Sequence, residues 1–256
     1  MMRIPIIAGN WKMHKTVAQS LEFVDEILPL TAEIKGVKVV LCPPFTALYS
    51  MGQRLQGTHI EMGAQDVFWA DEGAYTGEIS PPMLKDTGSK YAIVGHSERR
   101  HQLKETDEDV NQKVKSLLQA GLWPILCVGE TLEQRQAGNA RQVVKEQLEE
   151  GLKDVDTTGT DLVIAYEPVW AIGTGVNASS EDAQDMIGFI RQELAGKFSQ
   201  EMAERVRILY GGSVKANNIE EFMSQPDIDG ALIGGASLQA ESLAEIARRA
   251  EGIVNG

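Results

Sequence analysis

The sequence is poor in cysteine, aromatics and positive charge, and it lacks any long apolar run. Its 256 residues include two cysteines, Cys42 and Cys127, each inside a short apolar segment. Neither has the spacing of a metal-ligand pair, so no disulfide framework or cysteine metal centre organises the chain. Buried, reduced thiols and a cytoplasmic setting are expected instead. The 24 lysines and arginines are outnumbered by 37 aspartates and glutamates, for a net charge of −13. This balance argues against nucleic acid and against an anionic membrane surface, both of which call for a basic face. No stretch approaches the ~20 apolar residues of a membrane span, and the first ten residues lack a signal-peptide pattern. The acidity raises a question, because a chain of this composition that binds an anion must build a locally positive site.

What the sequence does contain is a regular alternation. Short apolar runs rich in β-branched residues begin near Ile4, Val37, Ile60, Tyr91, Trp123, Leu162, Val206 and Gly230, and each is followed by a longer stretch of helical periodicity. Runs such as Ile125-Leu126-Cys127-Val128 read as parallel strands buried on both faces. Helix starts agree: Thr131 with Gln134 forms a capping box, Thr106 precedes three acids, and Ser179 precedes Glu181 and Asp182. Eight β/α units without a linker or low-complexity tract predict an α/β fold, a (β/α)8 barrel occupying residues 1–256 as a single domain. Spacing alone leaves an open doubly wound sheet as the alternative.

In such a barrel the reacting groups come from the C-terminal ends of strands, so polar residues directly after apolar runs are the candidates. Asn10 and Lys12 follow the first run, His96 and Glu98 the fourth, and Glu167 the sixth. Gly211, Gly212 and Ser213 follow the seventh, and Gly234 and Gly235 the eighth. Two glycine pairs after the last two strands offer bare backbone amides, the usual phosphate cup of such barrels, and they answer the charge question without many cationic side chains. After Glu167 comes a short apolar lid, Pro168, Val169, Trp170, Ala171, Ile172, Gly173, Thr174 and Gly175. Its closure would dry the carboxylate, raise its basicity and bring the Gly173 amide to the phosphate.

The stretches Asn10-Trp11-Lys12, Gly95-His96-Ser97-Glu98-Arg99-Arg100, Tyr166 to Gly175 and Tyr210-Gly211-Gly212-Ser213-Val214 together resemble the triosephosphate isomerase family, in order from first strand to last helix. The resemblance implies interconversion of dihydroxyacetone phosphate and D-glyceraldehyde 3-phosphate through an enediol or enediolate. That chemistry needs a base, a group that polarises the oxygens and a grip on the phosphate, and no metal or redox cofactor. Glu167 is the candidate base. His96, at a helix N-terminus, is expected as a neutral imidazole donating to the substrate oxygens. Lys12 sets positive charge against the substrate, Asn10 donates a hydrogen bond, and Glu98 matches the family's acid near Lys12. Asn10, Lys12, Gly173, Ser213, Gly234 and Gly235 are the substrate and phosphate contacts.

The third loop, Gln65 to Gly77, carries more aromatics than a solvated loop wants. The resemblance implies a homodimer in which this loop, with Thr76, inserts beside Asn10, Lys12 and Met13 of a neighbouring subunit. Asp66, Tyr75 and Val176 stand where family members more often carry Asn, Phe and Lys. Three other classes fit parts of the pattern: a glycoside hydrolase using Glu98 and Glu167 as its carboxylate pair, another phosphate-binding barrel isomerase or epimerase, and a non-catalytic barrel.

Overall fold

The computed structural model of the chain describes residues 3–156, 162–171 and 178–255. Eight strands, β1 (Ile6–Asn10), β2 (Lys38–Cys42), β3 (Glu61–Ala64), β4 (Tyr91–Val94), β5 (Trp123–Val128), β6 (Val163–Tyr166), β7 (Arg207–Tyr210) and β8 (Gly230–Ile233), pair in chain order. Every pairing is parallel, and β8 returns to β1 with Ile6 opposite Gly230 to close the barrel. The strands begin within about two residues of the positions read from the sequence, and the closed order excludes the open sheet. Among the described residues the outer layer holds α1 (Val17–Leu30), α2 (Phe45–Leu55), α3 (Pro81–Asp86), α4 (Ser97–Gln102), α5 (Asp107–Gln119), α6 (Leu132–Gln136), α7 (Ala140–Gly151), α8 (Ser180–Lys197), α9 (Gln200–Arg205), α10 (Ile219–Met223) and α11 (Ala240–Asn255).

Helix starts follow the capping chemistry. Thr16, Thr106 and Thr131 each accept the N–H three residues on, while Gln19, Asp109 and Gln134 reach back to the cap N–H. Ser179 caps α8 through the Asp182 N–H, as its place in the sequence predicts.

The period-2 alternation of the strands divides the apolar residues between two cores. One set, including Ile6, Ala8, Val40, Cys42, Tyr91, Ile93, Ile125, Cys127, Val163, Ala165, Leu209 and Leu232, fills the barrel interior. The residues between them, such as Ile7, Leu41, Ala92, Leu126, Ile164 and Ile208, pack outward against the helices. Both cysteines belong to the interior. Burial pushes the Cys42 thiol up to about 12 and that of Cys127 well above its ordinary value, so both stay as inert thiols.

Candidate active site

The alternation that packs the interior also aims the site. On β1 the inward residues are Ile6 and Ala8, and the next in phase is Asn10; on β6 they are Val163 and Ala165, and the next is Glu167. Leu209 leads in the same way to Gly211, and Leu232 to Gly234. Strand β4 departs from this rule. Tyr91 and Ile93 lead to Gly95, whose φ of +68° ends the strand in a left-handed turn and redirects the next residue, His96, into the mouth. That turn is pinned on both sides. Its N–H donates to Glu105 Oε2 at 3.1 Å, and its carbonyl accepts from Arg100 Nε at 2.6 Å.

His96 and Glu167 meet at the mouth. Glu167, only 2% exposed, places Oε1 2.9 Å from His96 Nε2 and accepts the Ser97 N–H on Oε2 at 2.9 Å. His96 Nδ1 accepts the Glu98 N–H at 3.2 Å, the N-cap bond of α4, so in this arrangement the proton of the ring sits on Nε2. Burial alone would push the Glu167 carboxyl up, but His96, the Ser97 N–H and Lys12 outweigh it and hold the carboxyl below its ordinary value. Burial likewise works to lower the imidazole, yet the Glu167 carboxylate against Nε2, with Glu98 behind it, raises it. The raised basicity expected of Glu167 belongs to the closed lid, of which Ile172 to Gly175 lie outside the described residues. The direction here is downward because the carboxylate is engaged by the donors that a substrate would use.

Lys12 stands across the mouth in a left-handed backbone conformation, φ +52°, which for a residue with a side chain costs on the order of 1–3 kcal/mol. Its N–H donates to Asn10 Oδ1 at 3.0 Å and its carbonyl accepts from Gln65 Nε2 at 2.8 Å; the same amide group also donates to the Cys42 carbonyl at 2.9 Å. The Lys12 ammonium is bound to Glu98 Oε1 at 2.7 Å. Asn10 therefore uses its oxygen on the backbone.

A cavity of about 240 Å³ opens among Asn10, Lys12, His96, Glu167, residues Gly211 to Lys215, Leu232, and Gly234 to Ala236. It is smaller than the ~300–1000 Å³ of sites for drug-sized ligands, and so suits a small molecule. A Cβ added at Gly234 would stand 3.5 Å from Lys12 Cε and take up part of this space. Gly234 precedes a 3-10 turn, Gly235–Leu238, so the second glycine pair opens a helical turn as the sequence suggested. Ser213 lines the cavity, and its hydroxyl donates to the Ala171 carbonyl at 2.9 Å.

Only the first part of the lid lies within the described residues. Pro168 leads into a 3-10 turn, Val169–Ala171, while Ile172, Gly173, Thr174, Gly175 and Val176 lie outside them. The turn is anchored on Glu130, which is fully buried. Glu130 accepts Trp170 Nε1–H at 2.9 Å and the Tyr166 hydroxyl at 3.1 Å, and its carbonyl accepts the Val169 N–H at 3.1 Å. Arg135 lies 3.4 Å from the same carboxylate and 4.8 Å from the Trp170 ring.

Gln65, Glu130 and Lys215 are residues of this site that the sequence reading did not select. A signal for the first two was present, since Gln65 directly follows β3 and Glu130 is a polar residue shortly after the β5 run. Thr76 lies away from the cavity, exposed in the third loop, where Phe68 stacks on Trp69 with ring centres 4.0 Å apart. Among the described residues no cluster of three or more His, Cys, Asp or Glu is arranged to hold a metal ion, and no described helix is long and apolar enough to cross a membrane.

The family model described as triosephosphate isomerase matches residues 5–250. The triosephosphate isomerase of Citrifermentans bemidjiense is 52% identical over 253 residues, covering 98% of this chain and all of that protein. That of Moorella thermoacetica is 54% identical over 246 residues, 96% of this chain and 98% of the relative, and that of Dictyoglomus thermophilum is 49% identical over 248 residues. With the closed eight-stranded barrel, the facing His96 and Glu167 and a match that leaves out only the chain ends, this chain belongs to the triosephosphate isomerase family.

Proposed function

We propose that Glu167 moves the proton in the isomerisation this chain catalyses, the interconversion of dihydroxyacetone phosphate and D-glyceraldehyde 3-phosphate. The observation that carries this assignment is the 2.9 Å contact between Glu167 Oε1 and His96 Nε2 at the wall of a cavity that also holds Lys12 and the glycine pairs. When a triose phosphate enters, its carbonyl oxygen takes the place of Glu167 as acceptor of the His96 Nε2–H. The carboxylate loses a stabilising donor and becomes more basic, while the imidazole, with its proton on Nε2, loses the anion that raises its pKa. Substrate binding thus arms the base. Glu167 takes a proton from the hydroxyl-bearing carbon beside the carbonyl, and negative charge develops on the carbonyl oxygen facing His96 Nε2–H and the Lys12 ammonium. His96 gives its Nε2 proton to that oxygen and takes the proton of the neighbouring hydroxyl in return, and the protonated Glu167 delivers its proton to the former carbonyl carbon. Asn10, whose oxygen holds the Lys12 backbone, has its amide N–H groups left for a substrate oxygen.

The phosphate falls to the glycine pairs and Ser213, with Gly173 as the lid's contribution. Glu98 fixes Lys12 and, through its N–H, the proton-free nitrogen of His96; its role is positioning. Removing one donor to the developing oxyanion costs roughly a hundredfold to a thousandfold in turnover. The assignment is tested with dihydroxyacetone phosphate in heavy water. Wild-type protein is expected to build deuterium into the carbon skeleton and E167Q to lose that exchange; undiminished exchange in E167Q rejects Glu167 as the base.

We also infer a single-domain homodimer working in the cytoplasm. Met13 is 94% exposed, and Tyr75 and Thr76 are exposed in the third loop, so apolar and aromatic side chains stand in water on the rim that carries Lys12. A second subunit covering them would support the Lys12 backbone from outside. Sedimentation of the active protein decides the point: a monomer of full activity would rule out the dimer requirement.

A further inference from the structure

Two cations line the cavity, Lys12 and Lys215. The first is already matched, since its ammonium lies 2.7 Å from Glu98 Oε1. With Glu98 and Glu167 ionised and His96 neutral, the single charge of Lys12 leaves this cluster at a net charge of −1, in a chain of net charge −13. A phosphate dianion approaching such a mouth is repelled unless an unpaired cation stands at the rim. Among the described residues no carboxylate engages Lys215, and its side chain is exposed. The nearby acid Glu220 on α10 is taken by Arg249 at 3.1 Å. The backbone of Lys215 is rigidly held: its N–H donates to Asn218 Oδ1 at 2.8 Å, its carbonyl accepts the N–H groups of Asn218 and Ile219, and Asn218 Nδ2 donates to the Ser213 carbonyl at 3.2 Å. A free ammonium is therefore carried on a clamped turn two residues beyond Ser213, beside the glycine pair after β7.

We propose that Lys215 is a further substrate-binding residue of this isomerase, supplying the unpaired positive charge that draws the phosphate dianion into the cup. The proposal rests on the reading of the glycine-lined cavity as the phosphate site. Lys215 works through long-range attraction and a solvated contact to the phosphate, so it acts on KM and leaves proton transfer alone. Its effect is screened by salt, because the Debye length falls from about 10 Å at 0.1 M to about 3 Å at 1 M.

The test compares wild type, K215Q, K215R and K215E, with K153Q as a control of equal charge change on the exposed loop after α7, using D-glyceraldehyde 3-phosphate as substrate over a range of ionic strength. At low salt, K215Q is expected to raise KM by about threefold to tenfold with kcat within about twofold, K215E to raise it further, and K215R to restore it. The gap should narrow by 1 M salt, and K153Q should behave as wild type. G234A, which places a methyl group in the cup, separates the two layers of the argument. An unchanged KM in K215Q alongside a raised KM in G234A overturns the role of the lysine and retains the cup. Unchanged KM in both overturns the cup itself. A fall in kcat at constant KM in K215Q overturns the proposal in favour of a structural role for the turn.

Discussion

Glu167 Oε1 stands 2.9 Å from His96 Nε2, so the proposed base and the proposed hydrogen-bond donor are bonded to each other. Each shifts the other, the carboxyl downward and the imidazole upward, against what burial alone would do to either. The pair stores no strain; what it holds is a mutual stabilisation that the substrate must replace. In E167Q the anion is gone, and burial and the α4 N-terminus act on the ring alone. The His96 pKa, followed by NMR of the ring nitrogens, is expected to fall in E167Q. An unmoved titration would mean that Glu167 is not what raises it.

The lowered Glu167 carboxyl also sets a pH dependence of stability. Because its pKa in the folded protein lies below the ordinary 4.5, the native state binds fewer protons than the unfolded chain between those two values. The stabilisation is therefore complete above pH 4.5 and is lost as pH falls through the folded value. The difference in unfolding free energy between wild type and E167Q, measured by urea denaturation from pH 6.5 to 3, should shrink on acidification. A difference that stays constant or grows would contradict the direction of the shift.

Gly211 is required by its neighbour. A Cβ there would lie 2.8 Å from Glu167 Cγ and 3.1 Å from the Tyr166 carbonyl, so G211A must push the base out of place. A displacement of about 1 Å at a reacting group costs on the order of a hundredfold in rate, and crowding of a packed site costs about 1–3 kcal/mol. G211A should lose far more in kcat than its melting temperature suggests. A variant with normal kcat would show that the β6 and β7 ends give way without moving the carboxylate.

Trp170 ties the start of the lid to Glu130. W170F keeps the ring but removes the Nε1–H that donates to the buried carboxylate at 2.9 Å. Loss of one partner of a buried charged acceptor costs about 1–3 kcal/mol, and each kcal/mol lowers the melting temperature of a chain of this size by about 2–4 °C. Calorimetry should register that fall, and kcat/KM should fall with it because the turn that follows Glu167 loses its anchor. Unchanged stability would mean that Tyr166 and Arg135 satisfy Glu130 by themselves.

The legible part of the site was the part set by local phase. Asn10, Glu167, Gly211 and Gly234 continue the inward alternation of their strands, so an apolar run and the residue after it are enough to place them. Gln65 obeyed the same rule, while Glu130 is in phase with the outward Leu126 and Val128; both carry no chemistry of their own, and what they do, holding Lys12 and Trp170, is invisible until the strands are side by side. The direction of the Glu167 shift was not legible for the same reason. It depends on donors from a loop 70 positions away along the chain.

By itself, then, the sequence determined the number and order of the β/α units, the division of apolar residues between two cores, the helix caps and the candidates for the reacting groups. These are properties of neighbours along the chain, where a period of two or of 3.6 residues and a capping side chain act within a few positions. Barrel closure, the contact of His96 with Glu167, the pairing that neutralises Lys12 and the place of Lys215 at the cavity were decided by tertiary structure alone. Those features are sums of distances and charges between strand ends remote in sequence, and only the closed barrel gives these distances their values.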